Sequence, residues 1–296
     1  MQKNIHILEE KGWADYALLD SGALRKLERF GDIIVDRPEP QALWNKTLPE
    51  KDWKRASARF DNASDREEDD KGSWHLNQRV PESWSIGVDG VRMNCRLMTF
   101  RHMGLFPEQR PHWQFVSNKI RSAGRPVKLL NLFGYTGAAS LLAAKAGAQV
   151  THLDASKKAI RWARDNQADS GLDQAPIRWI CDDAGAFVAR ELRRGSQYDA
   201  ILLDPPKYGR GPEGEIWRFE TDIADFLASC AQLLSDKPLF MLVTAYALRF
   251  SSLSLGNLLG QALDGKGATI QSGELTLVPE SGHNPMSTSL FALGEF

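Results

Sequence analysis

The sequence predicts an α/β protein with a Rossmann-like, seven-stranded, mostly parallel sheet, helices on both of its faces, and a smaller β-rich domain before it. Two observations lead to this prediction. After about residue 127, short apolar runs alternate with stretches of helical spacing, which is typical of a parallel sheet covered by helices. Before about residue 115, the chain is aromatic, charged and irregular. We therefore expect a small β-rich N-terminal domain over 1–115 and a second domain over 116–296.

The elements of the second domain follow from hydrophobic periodicity and from residues typical of helix ends. Strands are predicted at 127–132, 149–153, 176–181, 198–203, 238–244, 269–278 and 288–293. Helices are predicted at 137–146, 156–169, 184–193 and 220–234. Ser156 is a suitable N-cap for the second of these helices, and Gly171 follows its end. Cys230 lies on the apolar side of the last helix, so we expect a core residue there rather than a nucleophile.

The first domain has shorter and less regular elements. Strands are predicted at 16–20, 32–36, 84–88 and 92–97. The run 61–71 is polar and mostly acidic, and we expect a solvated hairpin tip or a mobile loop there. This domain is a candidate for substrate selection, with its Trp and Tyr side chains contacting bases. The same side chains would equally serve as its core.

Composition narrows the class of protein. The chain has 296 residues, 42 % of them hydrophobic, and a net charge of -1, so no overall basic excess points to nucleic acid. The three cysteines are far apart and no two histidines are spaced i, i+4, so neither a disulfide framework nor a metal site is expected. No apolar run approaches the roughly 20 residues of a membrane span, and the N-terminus lacks the apolar core of a signal peptide. We expect a cytoplasmic protein with no membrane or metal partner.

The most informative segment is a glycine turn after an apolar run. The run 129–132 leads directly into Phe133–Gly137, and small residues follow. Glycine permits a sharp turn and a close approach of a ligand to the backbone, while a following helix offers unpaired N–H groups. Asp154 ends the next apolar run, 20 positions after Gly134. That spacing suits a carboxylate that binds a ribose in a βαβ unit.

Four such pieces follow four successive predicted strands. They are Phe133–Gly137, Asp154, Asp182–Asp183 and Asp204–Gly209. Open α/β sheets bind their ligands at these strand ends. The turn lacks the third glycine of a dinucleotide fold and the Gly-Lys-Ser/Thr of a phosphate loop. A nucleoside with an amino-acid tail fits better: Asp154 would bind the ribose hydroxyls, Asp182 or Asp183 the adenine amino group, and the turn the amino-acid end.

The segment Asp204–Tyr208 is the sharpest motif. Pro205 and Pro206 fix the backbone after a buried strand and form a stiff ledge whose carbonyls have lost local N–H partners. Such a ledge with a carboxylate can hold a planar nucleophile, and Tyr208 can stack on a base. Lys207 would orient a phosphate or pair with Asp204. The alternative is a loop that closes the sheet, with Asp204 as a helix cap.

These residues resemble class I S-adenosyl-L-methionine-dependent methyltransferases, and most closely the bacterial large-subunit ribosomal RNA methyltransferase branch. The first motif of that branch is similar to Asn131–Gly137, and its Asp-Pro-Pro-Lys-Phe/Tyr motif matches Asp204–Tyr208. The resemblance implies S-adenosyl-L-methionine as cofactor and favours Asp183 over Asp182 for adenine. The cofactor-binding residues that it implies, together with the turn, are Gln109, Arg110, Asn131, Phe133, Gly134, Tyr135, Thr136, Gly137, Asp154, Ala155, Ser156, Asp182 and Asp183. The catalytic residues would be Asp204, Pro205, Pro206, Lys207 and Tyr208.

One departure from the family pattern bears on the reaction. Members that methylate C5 of cytosine use a cysteine after the fifth strand, where this chain has Thr244–Tyr246, and Lys207 rather than cysteine follows the two prolines. Covalent chemistry therefore has no candidate nucleophile, and direct transfer to nitrogen or oxygen remains. Three functions stay open: methylation of an RNA base, methylation of a protein or small molecule, and RNA binding by a non-catalytic relic of the fold. RNA as the partner rests mostly on the resemblance.

Overall fold

The computed structural model describes residues 4–63, 71–246 and 250–296. Most of the acidic run predicted to be a hairpin tip or mobile loop, residues 64–70, lies outside them. The strands are β1 (Ile5–Glu10), β2 (Tyr16–Gly22), β3 (Arg25–Phe30), β4 (Ile33–Pro38), β5 (Ala58–Asn62), β6 (Gly72–Leu76), β7 (Trp84–Val88), β8 (Val91–Cys95), β9 (Lys128–Leu132), β10 (Gln149–Asp154), β11 (Ile177–Cys181), β12 (Ala200–Leu203), β13 (Tyr208–Arg210), β14 (Ile216–Arg218), β15 (Phe240–Tyr246), β16 (Thr269–Leu277) and β17 (Met286–Glu295). The helices are α1 (Glu50–Trp53), α2 (Arg110–Ser122), α3 (Ala138–Lys145), α4 (Lys157–Asp169), α5 (Ala184–Arg193), α6 (Phe219–Gln232) and α7 (Ser252–Ala262). None of the helices in the described ranges is long and apolar enough to cross a membrane.

The chain divides into two compact units. The α/β unit contains the chain up to Leu8, Pro111–Leu275 and Ser289–Phe296, and the β-rich unit contains Glu9–Arg110 and Thr276–Thr288. The sequence predicted a single domain boundary near residue 115. The division in the structure differs from it because the chain up to Leu8 belongs to the α/β unit and Thr276–Thr288 belongs to the β-rich unit. The first residues join the α/β unit because β1 lies beside β16, so closely that a Cβ on Gly273 would meet the His6 carbonyl oxygen at 1.8 Å.

The α/β unit is built on a mostly parallel sheet, as predicted. Within the described residues this sheet has eight strands in the order β1-β16-β17-β15-β12-β9-β10-β11. The neighbours from β15 to β11 pair in parallel, and β17 is antiparallel to β15. The prediction of a helix-covered parallel sheet is confirmed, and β1 adds the eighth strand at the edge.

Alternate residues of the strands bury against helices on opposite faces of the sheet. On β9, Leu130 packs in one cluster with residues of α5, α6 and α7. Its neighbour Leu129 packs in another cluster with residues of α2 and α3. Both leucines are 0 % exposed. A strand buried on both faces is a nearly continuous apolar run, which is why these strands could be found from the sequence.

The β-rich unit contains short, mostly antiparallel strands. In its described part, five strands pair in the order β2-β3-β4-β5-β6, with β4 and β5 parallel, and β7 and β8 form a hairpin. Its interior holds a charged network that the sequence did not predict. The Arg37 guanidinium lies 2.6 Å from the Glu28 carboxylate, which also accepts a 3.0 Å hydrogen bond from the Tyr16 hydroxyl. Burial acts to raise the pKa of Glu28, but the charges of Arg37 and Lys26 outweigh it and lower that pKa.

A second buried carboxylate of this unit makes its stability depend on pH. Glu10 is 4 % exposed, and its Oε1 accepts a 3.0 Å hydrogen bond from Arg110. Burial raises the pKa of Glu10 from 4.5 to about 7, although Arg110 acts to lower it. Between these values the folded state binds more protons than the unfolded state. The contribution of Glu10 is therefore complete below pH 4.5 and is lost as the pH rises through about 7.

We expect Glu10→Gln to flatten this dependence, because the amide keeps the neutral form at every pH. The free energy of unfolding, measured in urea at pH 5 and pH 8, should fall less in the variant than in the wild type, by as much as about 3 kcal/mol. Glu9→Gln, at the more exposed neighbouring position, is the matched control and should retain the wild-type dependence. Identical pH profiles for Glu10→Gln and the wild type would contradict the assignment.

Candidate functional site

The four predicted ligand-binding segments lie at the carboxyl ends of four neighbouring strands. The parallel register pairs Leu132 at the end of β9 with Leu153 on β10 and with Leu203 at the end of β12. Asp154, the last residue of β10, pairs with Cys181 at the end of β11. The turn 133–137, Asp154, Asp182–Asp183 and Asp204 therefore share one edge of the sheet, which is the edge where open α/β sheets bind ligands.

The turn after β9 has an unusual backbone. Phe133 and Tyr135 have φ of 58° and 50°, and Gly137 has φ of 90°. Non-glycine residues rarely adopt this left-handed region, and such outliers cluster at functional sites. Gly137 is also the N-cap of α3. Because glycine has no side chain, the first N–H groups of α3 donate no hydrogen bond to an N-cap side chain. The turn thus combines a strained backbone with a helix N-terminus suited to an anionic group.

Close packing excludes a side chain at Gly134, and close packing together with a left-handed φ of 90° disfavours one at Gly137. A Cβ on Gly134 would lie 2.4 Å from Cε1 of His152, which leaves no room for one. A Cβ on Gly137 would lie 3.1 Å from Cη2 of Trp179 and from Cβ of Ala163. The sequence predicts that these glycines face a ligand, and the structure adds that they pack the turn against β10 and β11.

A buried polar chain supports the turn from below. Asn131 Nδ2 donates a 2.9 Å hydrogen bond to Ser140 Oγ, which lies 2.9 Å from His152 Nδ1. Asn131 is 4 % exposed and the other two are 0 % exposed. Burial lowers the pKa of His152 to about 3, so its ring is neutral at physiological pH. The roles of Ser140 and His152 were not predicted from the sequence, although a histidine inside the apolar run 148–153 was a signal.

The carboxylate of Asp154 connects the turn to the next helix. Its Oδ2 accepts a 2.9 Å hydrogen bond from the Tyr135 N–H, and its Oδ1 accepts one of 2.8 Å from the Ser156 N–H. Burial raises the pKa of Asp154, although these two N–H groups act to lower it. Each carboxylate oxygen has a second lone pair, so both can also accept from hydroxyl groups. Ser156 is the N-cap of α4, as predicted, and its Oγ accepts from the Ala159 N–H.

The two acids after β11 have different local partners. Asp183 is the N-cap of α5, and its Oδ1 accepts a 2.8 Å hydrogen bond from the Ala186 N–H. Asp182 accepts a 2.9 Å hydrogen bond from the Asp183 N–H through Oδ1 and forms an ion pair with Arg190 through Oδ2. Both carboxylates are thus fixed in position at the strand end, and the choice between them for an adenine amino group stays a prediction.

The Asp204–Tyr208 ledge follows β12 and leads into the hairpin of β13 and β14. The Asp204 N–H lies 3.4 Å from the Leu132 carbonyl, which ties the start of the ledge to the end of β9. Tyr208 pairs with Arg218 across the hairpin, and its side chain is 50 % exposed. The carbonyl of Lys207 accepts a 3.0 Å hydrogen bond from the Phe219 N–H. An exposed aromatic ring therefore follows a carboxylate and two prolines whose backbone is held at both ends.

The ledge has one contact that the sequence did not predict. The carbonyl of Pro206 accepts a hydrogen bond from a distant group, because Trp217 Nε1 donates to it at 2.7 Å. The partner lies eleven residues later in the sequence, and only the pairing of Gly209 with Trp217 in the hairpin brings it back. The local absence of N–H groups at the two prolines could not reveal it.

Gln109 and Arg110 belong to the β-rich unit, whereas the other candidate residues belong to the α/β unit. Arg110 Nη2 lies 2.7 Å from Asp89 Oδ1, and Arg110 Nη1 lies 3.0 Å from Glu10 Oε1. Its guanidinium carbon also lies 5.4 Å from the centre of the Trp13 ring. These partners fix Arg110 within its own unit, and its role toward a cofactor stays a prediction.

Two of the three cysteines are buried in the core. Cys230 and Cys95 are 0 % exposed, and burial raises the pKa of the Cys95 thiol to about 12 and that of Cys230 further. Neither thiol forms a thiolate readily, which supports the core position predicted for Cys230. Within the ranges that the structure describes, no group of three or more His, Cys, Asp or Glu side chains could hold a metal ion.

Comparison with known families and structures gives a consistent result. The family model described as S-adenosylmethionine-dependent methyltransferase matches residues 45–216, which is more than half of the chain. The crystal structure of the SAM-dependent methyltransferase from Agrobacterium tumefaciens is 46 % identical, with a TM-score of 0.93. That match covers 100 % of this chain and 97 % of the other.

Two curated relatives carry the names of ribosomal RNA methyltransferases. Ribosomal RNA large subunit methyltransferase K/L of Shewanella baltica is 36 % identical over 148 residues, 49 % of this chain and 20 % of that protein. Ribosomal RNA large subunit methyltransferase I of Aeromonas salmonicida is 29 % identical over 206 residues, 69 % of this chain and 50 % of that protein. The match thus spans from a fifth to half of the length of these relatives.

Proposed function

The chain belongs to the S-adenosylmethionine-dependent methyltransferase family, and from this premise we propose that it transfers a methyl group to a base of ribosomal RNA, directly and without a cysteine nucleophile. The observation that carries the proposal is the position of the Asp204–Tyr208 ledge. It begins at the end of β12, beside the turn 133–137 at the end of β9. A ledge for an acceptor thus adjoins a cradle for a cofactor.

The residues at the strand ends fit S-adenosylmethionine. Asp154 offers two carboxylate oxygens to the ribose hydroxyls, and the first amides of α3 suit the carboxylate of the amino-acid end. Gly134 and Gly137 let the turn pack closely on His152 and Trp179, which holds it in place for the amino-acid end. The further contacts would come from Tyr135, Thr136, Ala155, Ser156 and one of Asp182 and Asp183. When bound, the cofactor supplies a methyl group that is electrophilic because it is attached to positively charged sulfur.

The ledge would then do the work of positioning. The Asp204 carboxylate accepts a hydrogen bond from an acceptor amine and directs its lone pair toward the cradle. Pro205 and Pro206 hold that carboxylate on a backbone of fixed φ, and Tyr208 stacks on the base, a contact worth about 1–3 kcal/mol. Lys207 orients a phosphate or pairs with Asp204. Holding two reactants in this way can supply several kcal/mol of a reaction barrier, and it requires no covalent nucleophile.

The names of the curated relatives and the surface of the chain support RNA as the substrate. An exposed aromatic ring follows the prolines at Tyr208. Helix α4 begins directly after Ser156, close to Asp154. It has four exposed basic side chains, Lys157, Lys158, Arg161 and Arg164. Because the net charge is -1, RNA contacts have to come from local clusters of this kind rather than from the overall charge.

Transfer of a tritiated methyl group from the cofactor to fractionated RNA, protein and metabolites tests the proposal. We expect label in RNA, recovered in a modified base after digestion to nucleosides. Direct transfer further predicts that no covalent protein–RNA species accumulates on a denaturing gel. Label in protein or metabolites would contradict RNA as the substrate. Cofactor binding with label in no fraction would favour a non-catalytic RNA-binding role.

A further inference from the structure

We infer that Trp217 is a positioning residue that holds the cofactor turn 133–137 and the acceptor ledge 204–208 in a fixed position relative to each other. This inference rests on the proposed methyl transfer. Its indole N–H donates to the Pro206 carbonyl at 2.7 Å, and the centre of its ring lies 5.3 Å from that of Phe133. One side chain therefore contacts both the ledge 204–208 and the turn 133–137. Neither motif of the sequence includes it.

On the side of the ledge, the indole is brought into place by the hairpin of β13 and β14. Gly209 pairs with Trp217, and a Cβ on Gly209 would lie 3.2 Å from Cγ of Pro206. A larger residue would crowd the hairpin against the proline, so glycine allows the indole to reach the carbonyl. The hydrogen bond from the Phe219 N–H to the Lys207 carbonyl, at 3.0 Å, closes the same loop. The indole thus fixes the middle of the ledge, one residue before Lys207.

On the side of the turn, Trp217 belongs to a cluster of three aromatic rings. Phe226 of α6 lies 5.9 Å from Phe133 and 5.2 Å from Trp217, measured between ring centres. Phe226 is 7 % exposed and packs in the core beneath α6, so it gives the other two rings a rigid base. Phe133 has the left-handed φ of 58° that an unsupported phenylalanine avoids. Its ring packing against Trp217 and Phe226 therefore holds the first residue of the turn in this conformation.

The two contacts use different parts of the indole, so substitutions can separate them. Trp217→Phe keeps an aromatic ring against Phe133 and removes the N–H that binds Pro206. Trp217→Leu removes both the ring contact and the N–H. A residue that only stabilised the fold would show the same ratio of effects on stability, cofactor affinity and turnover in both variants. A positioning residue would not.

For Trp217→Phe, we expect the cofactor Kd from calorimetry to stay within about twofold of the wild type, while kcat falls about tenfold and the KM for RNA is unchanged. A tenfold change corresponds to about 1.4 kcal/mol of barrier. Hydrogen exchange of a peptide spanning 204–219 should become faster. For Trp217→Leu, we expect the cofactor Kd to rise about tenfold in addition.

Trp84→Phe is the matched control, because it removes an indole hydrogen bond to the Phe30 carbonyl (3.0 Å) in the β-rich unit. It should lower Tm without changing Kd or kcat.

Wild-type kcat and unchanged exchange over 204–219 in Trp217→Phe would overturn the role at the ledge. A wild-type cofactor Kd in Trp217→Leu would overturn the role at the turn. If the wild type transfers no methyl group to RNA, the proposed function fails, but calorimetry and hydrogen exchange still decide the positioning role. The two failures are therefore distinguishable.

Discussion

Replacing Asp204 with alanine is expected to lower kcat for methyl transfer by about two to three orders of magnitude and to leave the cofactor Kd within about twofold. The carboxylate stands at the end of β12, next to the turn, and in the proposed mechanism it is the group that orients the acceptor amine. Removing one preorganised hydrogen-bonding group from an active site costs about 2.7–4 kcal/mol of transition-state stabilisation. Asp204 is half-buried and lies outside the apolar core clusters, so the variant should fold. Steady-state kinetics and calorimetry on the same preparation measure both effects.

A matched control lies just before the opposite end of the same strand. Asp199 precedes β12 and accepts hydrogen bonds from the Lys128 N–H and the Ser235 hydroxyl, each at 2.8 Å. It also pairs with Arg125 at 2.9 Å. Asp199→Asn should therefore lower Tm without changing kcat for the folded enzyme. Full activity in Asp204→Ala, or an equal loss of kcat in Asp199→Asn, would refute the assignment of Asp204 to the acceptor.

Much of the candidate site could be predicted because its residues follow buried strands directly. A strand covered on both faces is a mostly apolar run, so its end is visible in the sequence as a following glycine turn or acid. Parallel pairing then brings Phe133, Asp154 and Asp204 to one edge. The family resemblance, which rests on residues 131–137 and 204–208, is confirmed by the family model and by the Agrobacterium structure.

The features that could not be predicted depend on pairings between distant residues. The partner of the Pro206 carbonyl comes from β14, a strand of three residues that is too short to show a clear alternation. The addition of β1 to the sheet depends on contacts with β16, more than 250 positions later. The Asn131–Ser140–His152 chain requires the register of β9 on β10 before its members can be seen as neighbours. Local periodicity contains none of this information.

Replacing Asp154 with alanine is expected to raise the cofactor Kd by about 100-fold or more. Two hydrogen bonds to ribose hydroxyls would be lost, and hydrogen bonds to a charged group contribute about 1.5–3 kcal/mol each. The Tyr135 and Ser156 N–H groups would also lose the acceptors that fix the turn and the start of α4. Calorimetric titration with the cofactor measures the affinity directly, whatever the acceptor substrate proves to be.

The ionisation of Asp154 adds a pH dependence with a definite sign. Burial raises the pKa of this carboxyl above 3.8, and the protonated form has fewer acceptor sites for the ribose hydroxyls and the two N–H groups. Cofactor affinity should therefore begin to fall, on acidification, at a higher pH than an ordinary aspartate would give. Asp154→Asn keeps one side-chain oxygen, so its Kd should lie between those of the wild type and the alanine variant. Its cofactor affinity should no longer fall on acidification through this pKa. An unchanged Kd in Asp154→Ala, with Tm near the wild-type value, would place the ribose elsewhere.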